Sequence, residues 1–342
     1  MNITDSTASD LRDITIIGGG PTGLFAAFYA GVRGMSSRIV DSLPELGGQL
    51  MALYPEKYIY DVGGFPKVLA KDLAQGLIRQ AMQFDPQVEL DDEVRDLERV
   101  GDHWVLRCRN GEYHSRTVLI AGGKGAFEPK VLEVPGYTEL LHNGVHYAVR
   151  DPQHFAGKRV LIVGGGDSAL DWALILKDLC ATTYVAHRRD GFRAHEQSVA
   201  QLEAACEAGQ IDLLTFHEVR EIHGAPETGV VAATVYDNRT DVDTRLEVDA
   251  VLTFLGFKPD LGPIKRWGLD LAGNRIEVNS LMKTSLPCVY AAGDIVDYEG
   301  KLDLIATAFG EAAIAVNNAV HDVNPDARVN PGHSTSMAVF KE

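Results

Sequence analysis

The sequence predicts an α/β protein with two domains. Three observations lead to this prediction: the length of 342 residues, the 34 glycines, and a glycine-rich motif that occurs twice. A chain of this length corresponds to about two domains of roughly 150 residues each. Hydrophobic residues make up 45% of the chain and charged residues 23%, so both domains can bury a core.

The repeated motif joins a β-branched, apolar run to a cluster of glycines. The first copy, at 14–23, reads ITIIGGGPTG, and the second, at 160–169, reads VLIVGGGDSA. A helix-like stretch of small and apolar residues follows each copy, and a second apolar run closes each unit. Strand, glycine turn, helix and strand in this order are typical of Rossmann-like dinucleotide-binding units. A glycine-rich turn without a ligand is the alternative, and the second copy in the same context argues against it.

The glycines of each copy have separate mechanical roles. The first makes a tight turn, the second lets the backbone approach a pyrophosphate, and the third position keeps the helix close to the strand. The helix then directs free N–H groups and its positive end at the phosphates. The residues predicted for these roles are Gly18, Gly20 and Gly23 in the first copy, and Gly164, Gly166 and Ala169 in the second. Asp167 and Ser168, which begin the second helix, are also predicted to contact the coenzyme.

The ends of the two second strands differ in charge. At the fixed offset of 146 residues between the copies, Asp41 corresponds to His187. A carboxylate at this place accepts hydrogen bonds from a ribose diol and repels a 2′-phosphate, so the first copy predicts FAD or NAD. The second strand continues into Arg188 and Arg189, with Arg193 nearby, and guanidinium groups suit the 2′-phosphate of NADP(H). A solvated basic loop is the alternative for this cluster.

A strand near the C-terminus favours FAD over NAD in the first copy. The run TSLPCVYAAGD at 284–294 ends in Asp294, and an acid at such a strand end can bind ribityl hydroxyls, which NAD lacks. A helix is predicted over 301–320 from its apolar spacing. The N-terminus of this helix would direct N–H donors at the pyrimidine edge of a flavin. A strand, turn and helix with a capping Asp is the alternative.

The FAD domain is therefore predicted to use both ends of the chain, residues 1–127 and 256–342. The NADPH domain is predicted as an insertion at 128–255. Glycines in the crossings at 121–125 and 255–259 suit hinges, and they suit tight turns equally. As hinges, they would let the domains rotate to bring the nicotinamide to the flavin.

Charge and composition exclude several classes of function. The 32 basic and 48 acidic residues give a formal net charge of −16, which argues against binding to nucleic acid or an anionic membrane. We find no signal peptide and no run of 18 apolar residues, so a cytoplasmic protein is expected. The four cysteines lie far apart without a CxxC pair, which indicates reduced thiols rather than a disulfide or metal framework.

Five motifs together resemble the thioredoxin reductase family, and the resemblance covers essentially the whole chain. They are the two glycine motifs, GGQL at 47–50, HRRDGFRA at 187–194 and AGD at 292–294. The resemblance implies two domains of the three-layer ββα type. Thioredoxin reductases carry a redox CxxC shortly before the second glycine motif, where this chain reads GVHYAVRD at 144–151. Disulfide reduction through such a dithiol is therefore excluded.

Because the dithiol is missing, the chain resembles a sister group more closely, the thioredoxin-reductase-like ferredoxin–NADP+ reductases. This group is similar to the chain at YPEKYIYD (54–61), GGGDSALDWAL (164–174) and PGHSTS (331–336). The FAD contacts that the resemblance implies are Thr22, Asp41, Gly48, Gln49, Tyr54, Val94, Phe127, Asp294 and Thr335.

The resemblance also implies that Tyr54 and His333 stack on the two faces of the flavin. His333 would come from the tail of a second subunit, which makes the protein a homodimer. Taken alone, Tyr54 is more typical of a core or rim tyrosine, and His333 of a disordered tail. Packing is the ordinary role for Val94 and Phe127. Asp61 either polarises a water near the flavin or caps a turn.

The function implied is that of a ferredoxin–NADP+ reductase: hydride exchange between NADPH and flavin N5, then single electrons to ferredoxin or flavodoxin. Because the cofactors carry this chemistry, no catalytic side chain and no metal are predicted. Two alternatives remain, a flavin reductase with another acceptor and a non-catalytic NADPH- or FAD-binding sensor. Ferredoxins are usually acidic, so docking requires a local basic patch. Its candidates are Arg33, Arg38, Lys57, Lys67, Lys71 and Arg79.

Overall fold

The computed structural model describes residues 10–328 and Phe340, except the side chains of 126–129 and 257–259. The chain divides into two compact units. The first consists of Met1–Phe127 with Pro259–Glu342, and the second of Glu128–Lys258. The return to the first unit thus lies three residues later than the sequence predicts. Each unit contains one copy of the glycine motif.

The N-terminal part of the first unit alternates strands with three helices. Its strands are β1 (Arg12–Ile17), β2 (Ser37–Val40), β3 (Tyr58–Ile59), β4 (Val68–Leu69), β5 (Gln87–Glu89), β6 (Val94–Val100), β7 (His103–Cys108), β8 (Glu112–Ile120) and β9 (Ala126–Pro129). Its helices are α1 (Pro21–Val32), α2 (Gln49–Ala52) and α3 (Ala70–Ala81), with a 3₁₀ turn at Met82–Phe84.

The second unit contains eight strands among its described residues. These are β10 (Val145–His146), β11 (Arg159–Gly164), β12 (Thr182–His187), β13 (Asp212–Thr215), β14 (His217–Ala225), β15 (Gly229–Asp237), β16 (Asp243–Glu247) and β17 (Ala250–Phe254). The helices are α4 (Asp167–Leu176) and α5 (Glu196–Glu207), with a 3₁₀ turn at Pro152–Phe155.

The C-terminal part returns to the first unit and ends in a long helix. Its elements are β18 (Phe257–Asp260), a 3₁₀ turn (Gly262–Arg266), β19 (Leu271–Ala272), β20 (Arg275–Glu277), β21 (Val289–Ala291), β22 (Val296–Asp297) and α6 (Ile305–Val323). Strands β9 and β18, where the chain passes between the units, form a two-stranded sheet.

The first unit is built on a sheet with the order β5-β2-β1-β8-β7-β6, and β21 also pairs with β8. Strands β5, β2, β1, β8 and β21 are parallel, and β7 is antiparallel to β6 and β8. Alternate residues of β8 face opposite sides. Leu119 packs with Leu24 of α1 and Val316 of α6, whereas Ile120 packs with Trp104 of β7 on the other side. The first unit thus has three layers, because helices pack on one side of the parallel strands, and β6 and β7 pack on the other.

The second unit also has three layers. Its parallel sheet has the order β10-β17-β11-β12-β13, and the antiparallel sheet β14-β15-β16 forms the second layer. Ile162 packs towards the helices with Leu170, and Leu161 packs towards the antiparallel sheet with Val219. Both units therefore have a helical layer, a parallel sheet and a β layer, which confirms the predicted fold class.

The internal repeat is also visible in the strand register. Ile14 of β1 pairs with Ser37 of β2, and Val160 of β11 pairs with Thr183 of β12. Both pairs are related by the same offset of 146 residues that relates the two motifs in the sequence. The two units are thus built in the same register.

The last helix begins later than the sequence predicts, at Ile305 rather than at 301, and it ends at Val323. Leu304 has an extended backbone with φ −127° and ψ 143°. Before it, the side chain of Lys301 reaches the buried carboxylate of Glu311, and the backbone makes a turn at Tyr298. The helix thus starts only after the extended Leu304, and Lys301 lies outside it, paired with Glu311. No described helix is long and apolar enough to cross a membrane.

Candidate functional site

The first glycine turn is too crowded for any larger residue. Gly18 has a φ of +111°, and a Cβ atom there would lie 2.5 Å from the carbonyl oxygen of Ala121. A Cβ on Gly23 would lie 1.8 Å from the carbonyl oxygen of Gly18, which brings α1 directly against the end of β1. Helix α1 begins at Pro21 without a side-chain cap and without an acid in its first turn. Its N-terminal donors are therefore available to an anionic ligand.

A second loop lies beside this turn. The N–H of Gly47 donates to the carbonyl oxygen of Gly19 at 2.9 Å, and α2 begins immediately afterwards with Gly48 as its N-cap. The side-chain amide of Gln49 reaches Gly123, after β8. The structure thus brings Gly48 and Gln49 together with the first glycine turn.

Asp41 lies at the end of β2 and against the same turn. Its side chain is 8% exposed. Its Oδ2 atom accepts from the N–H of Gly19 at 2.5 Å, and Oδ1 accepts from the N–H of Leu43 at 2.9 Å. Burial raises the pKa of the Asp41 carboxyl, and these N–H groups oppose the rise. The acid that distinguishes the first copy therefore lies next to the expected pyrophosphate position.

The turn after β21 meets the start of α1. Gly293 has a φ of +87°, and a Cβ there would lie 2.7 Å from Oγ1 of Thr22. Asp294 follows, half-buried, and its carboxylate has no hydrogen-bond partner within residues 10–328. Burial raises the pKa of Asp294, while Lys124 and Lys301 lower it.

Tyr54 lies in the electrostatic field of two acids of this site. Its ring packs against the helical side of the core. Burial, with Asp294 and then Asp61, raises the pKa of Tyr54 to about 12, so the hydroxyl stays protonated at neutral pH. Asp61 itself is exposed. The structure therefore groups Tyr54 and Asp294 in the first unit.

These features fit a dinucleotide with a ribityl chain. The turn at Gly18 has no space for side chains, and its glycines carry none. A pyrophosphate can therefore lie against the uncapped start of α1. Asp41 lies where an adenosine ribose would sit. The half-buried carboxylate of Asp294 lacks a hydrogen-bond donor in the described chain, and ribityl hydroxyls would supply it.

A buried ion pair beneath this turn was missed in the sequence. Glu311 of α6 is 3% exposed and Lys301 is 4% exposed. Glu311 Oε2 accepts from the N–H of Gly293 at 2.7 Å, and Oε1 accepts from the Tyr298 hydroxyl at 2.7 Å and from Lys301 Nζ at 2.6 Å. The sequence feature that could have revealed it is an acid, Glu311, on the apolar face of α6 between Ala308 and Ala312. This carboxylate ties the Gly293 turn to the last helix.

For four other predicted FAD contacts, the described residues show no contact with this site. Val94 begins β6 and is buried in the core. Phe127 lies in β9, where only the backbone is described, and His333 and Thr335 lie outside the described residues. Their roles stay predictions.

The second glycine turn repeats the first. Gly164 ends β11, and a Cβ there would lie 2.6 Å from the carbonyl oxygen of Phe254. Helix α4 begins at Asp167, again without a side-chain cap, and Ser168 is exposed next to it. The ring of His187 packs on Gly165, where a Cβ would lie 2.1 Å from it.

Residues 188–195, which we call the arginine segment, fold back onto this turn. The N–H of Arg193 donates to the carbonyl oxygen of Gly165 at 2.7 Å, and Gly166 forms a β-bridge with Arg193. His187 stacks on Phe192, with ring centroids 5.0 Å apart and planes inclined by 22°. The structure therefore places this basic segment beside the start of α4.

The side chains of the arginine segment are available to a ligand. Arg188, Arg189 and Arg193 are exposed. Within residues 10–328, none of these three guanidinium groups makes an ion pair or a hydrogen bond. Three unpaired cations next to a helix N-terminus can attract a phosphate dianion.

The six candidate docking cations do not form one free patch. Arg38 is 0% exposed and pairs with Asp10, and burial lowers its pKa, so its assignment to the surface is wrong. Its guanidinium lies 4.6 Å from the centre of the Tyr113 ring of β8 and donates to Gln87 of β5, so side chains of neighbouring strands cover it. Arg33 donates to the carbonyl oxygen of Arg328, and Lys71 pairs with Glu56 at 2.7 Å.

Comparisons with known proteins agree with this architecture. A family model described as pyridine nucleotide-disulphide oxidoreductase matches residues 12–312. A ferredoxin–NADP reductase of Thermus thermophilus is 52% identical over 332 residues, 97% of this chain and 98% of the relative. One from Sulfurisphaera tokodaii is 48% identical over 334 residues, 96% of this chain and 99% of the relative.

A solved structure is similar over almost the same length. The thioredoxin reductase of T. acidophilum has a TM-score of 0.79 and 26% sequence identity. The match covers 92% of this chain and 99% of that one.

Proposed function

The chain belongs to the pyridine nucleotide-disulphide oxidoreductase family, and on that premise we propose that it is a ferredoxin–NADP+ reductase. Relatives of that name match it at 46–52% identity over 96–97% of its length. The cofactors are FAD and NADP(H). The observation that carries the proposal is the contrast between the two glycine turns. One is completed by a buried carboxylate and the other by three unpaired arginines.

The first unit is proposed to bind FAD, which exchanges a hydride with NADP(H) and passes electrons singly to a one-electron carrier. The uncapped start of α1 would hold the pyrophosphate, Asp41 the adenosine ribose, and Asp294 the ribityl chain. Tyr54 would stack on one face of the flavin and exclude water from it. The proposed FAD contacts are Gly18, Gly20, Thr22, Gly23, Asp41, Gly48, Gln49, Tyr54, Val94, Phe127, Asp294 and Thr335.

The second unit is proposed to bind NADP(H). The start of α4 would hold the pyrophosphate, and the arginine segment would bind the 2′-phosphate by charge-assisted hydrogen bonds. The proposed contacts are Gly164, Gly166, Asp167, Ser168, His187, Arg188, Arg189 and Arg193. No residue of either unit needs to transfer a proton by general acid–base catalysis.

The sequence separates this function from that of the dithiol enzymes with the same fold. Residues 144–151 contain no cysteine, and no two of the four cysteines form a CxxC pair. Electrons therefore have no dithiol route within this chain. A one-electron carrier that meets the flavin directly is the acceptor consistent with this sequence.

Assembly and location are further parts of the proposal. We propose a cytoplasmic homodimer in which the tail of each subunit brings His333 to the flavin of the other. The similarity of PGHSTS at 331–336 to the tails of the reductase group supports this assignment.

Two measurements test the function. The purified protein should be yellow, and adding NADPH without oxygen should bleach its visible absorption. In stopped-flow experiments, ferredoxin should reoxidise the reduced protein faster than quinones do. A faster reaction with quinones would favour a flavin reductase with another acceptor. A bound flavin that NADPH fails to reduce would indicate a sensor.

A further inference from the structure

Both ends of the arginine segment are anchored by hydrogen bonds to its backbone. Near its end, the N–H of His195 donates to Oδ1 of Asp167 at 2.9 Å. At its start, the carbonyl oxygen of Arg188 accepts from Nδ2 of Asn238 at 3.0 Å. The backbone is thus held in place, whereas the guanidinium groups remain exposed and unpaired among residues 10–328.

Asn238 is itself held in the turn between β15 and β16, 50 residues from Arg188 in sequence. Its backbone N–H donates to the carbonyl oxygen of Phe216 at 2.8 Å. Its Nδ2 atom also donates to Oε1 of Glu218 at 3.0 Å. Asn238 is therefore held in place by its own contacts, and its side chain in turn holds the start of the arginine segment.

The two contacts of the side chain require an amide. Both partners of Nδ2 are oxygens that only accept, a carbonyl and a carboxylate, so each takes one of its two hydrogens. An aspartate has the same shape but would present an oxygen to both. The identity of residue 238 therefore decides whether the Arg188 carbonyl is held or repelled.

We propose that Asn238 is a positioning residue for NADPH recognition. It orders the start of the arginine segment, so that Arg188 and Arg189 are directed at the 2′-phosphate before the coenzyme arrives. A segment ordered in advance loses less conformational entropy on binding. This inference rests on the proposed function, which assigns the arginine segment to the 2′-phosphate.

The test compares two probes that differ in one phosphate, adenosine 2′,5′-bisphosphate and 5′-AMP. Calorimetry on the full-length protein measures their binding without any flavin chemistry. In N238A, binding of the bisphosphate should weaken about 3- to 10-fold, the size of one hydrogen bond. N238D should weaken it more, and 5′-AMP should bind within about twofold of wild type to both variants. Equal weakening of the two probes, or of neither, would overturn the proposal.

Glu218→Gln provides the matched control. Alone it keeps an oxygen opposite Asn238 and should leave both probes unaffected. Combined with N238D it supplies an amide donor to the new carboxylate, which restores the contact within the turn but not the one with Arg188. The double variant should keep the weakened bisphosphate binding. Recovery to the wild-type value would mean that Asn238 only stabilises the turn, which contradicts the proposal.

The variant R188A/R189A separates this inference from the proposed function. If it binds the bisphosphate as tightly as wild type does, the assignment of the 2′-phosphate fails, and the role of Asn238 fails with it. If it loses the bisphosphate while N238D binds both probes normally, only the positioning role is overturned. In turnover, N238A should raise the KM for NADPH and leave kcat unchanged.

Discussion

The two glycine turns have similar backbone geometry and differ in a few charged residues beside them. Asp41 and His187 occupy equivalent strand ends, and each packs against the glycine turn of its own unit. The carboxylate of Asp41 accepts hydrogen bonds from backbone N–H groups. In the proposed sites it would repel a 2′-phosphate, whereas the arginines after His187 would attract one. Under the proposed function, coenzyme choice is thus decided by a few side chains.

We predict that R188A/R189A loses its preference for the phosphorylated coenzyme. Hydrogen bonds to charged groups contribute about 1.5–3 kcal/mol each, so kcat/KM for NADPH should fall roughly 100-fold or more. The value for NADH should change less than about threefold, since NADH lacks the 2′-phosphate. Steady-state kinetics with both coenzymes measure this.

Arg245 offers a control for the loss of positive charge. It is an exposed arginine of the same unit, paired with Glu247. Arg245→Ala should leave both kcat/KM values unchanged. Equal losses for NADPH and NADH in R188A/R189A would refute the assignment.

We predict that Asp294→Asn binds FAD more weakly but makes the protein without FAD more stable. Burial raises the pKa of this carboxyl, so its ionised form costs free energy in the folded state. A carboxyl group whose pKa is higher in the folded than in the unfolded protein stabilises the fold at pH values below its unfolded pKa. This contribution to the free energy of unfolding is lost as pH rises through the folded pKa. The stability advantage of D294N should therefore grow with pH over that range.

Urea unfolding of the FAD-free proteins at several pH values measures this advantage, and fluorescence titration measures FAD affinity. A D294N protein that binds FAD like wild type would remove Asp294 from the site.

At the scale of elements, the long C-terminal helix is the part that completes the first unit. Helix α6 packs on the same side of the sheet as α1. Its Glu311 fixes Gly293, and a Cβ on Gly293 would meet Thr22 of α1. The turn at Asp294 is therefore held between two helices, and its position depends on one buried ion pair.

We predict that Glu311→Ala destabilises the protein by about 3–5 kcal/mol, because it leaves the buried ammonium of Lys301 without its partner. The midpoint of urea unfolding should fall accordingly. Replacing both charges in K301M/E311Q should recover most of the loss.

The pair Arg275–Asp303, whose side chains are 34% and 32% exposed, is the control for this prediction. Breaking it with Asp303→Ala should cost about 1 kcal/mol or less. A similarly small cost for Glu311→Ala would show that its carboxylate does not hold the Gly293 turn.

At the scale of the whole molecule, one chain contains two copies of one architecture, with the second inserted in the first. The strands of each copy share a register, so in the proposed function the same turn geometry would serve two nucleotides of different charge. The dithiol of the related fold is missing between the copies, so the proposed carrier must approach the flavin from outside the chain.

We predict that removing all residues after Pro331 exposes the flavin. The truncation deletes His333, so flavin fluorescence should rise and the rate of flavin reduction by NADPH should change. His333→Ala should reproduce part of the effect if the ring itself covers the flavin. Analytical ultracentrifugation of both variants tests the dimer. A truncated protein with unchanged fluorescence and reduction rate would remove His333 from the site.

The sequence by itself determined the two nucleotide-binding units, the fold class and the charge contrast at the two strand ends. These features are local. A strand, a glycine turn and the next strand end lie within about 30 residues, and each step follows from backbone sterics and side-chain charge.

Only the tertiary structure decided which distant groups meet. Arg38 is a plausible surface cation in the sequence, yet the folded sheet buries it. Asn238 has no recognisable motif, yet it reaches a carbonyl 50 residues away. Such contacts depend on the path of the whole chain, and no local periodicity encodes that path, which is why the residues that hold the site emerged only from the packed fold.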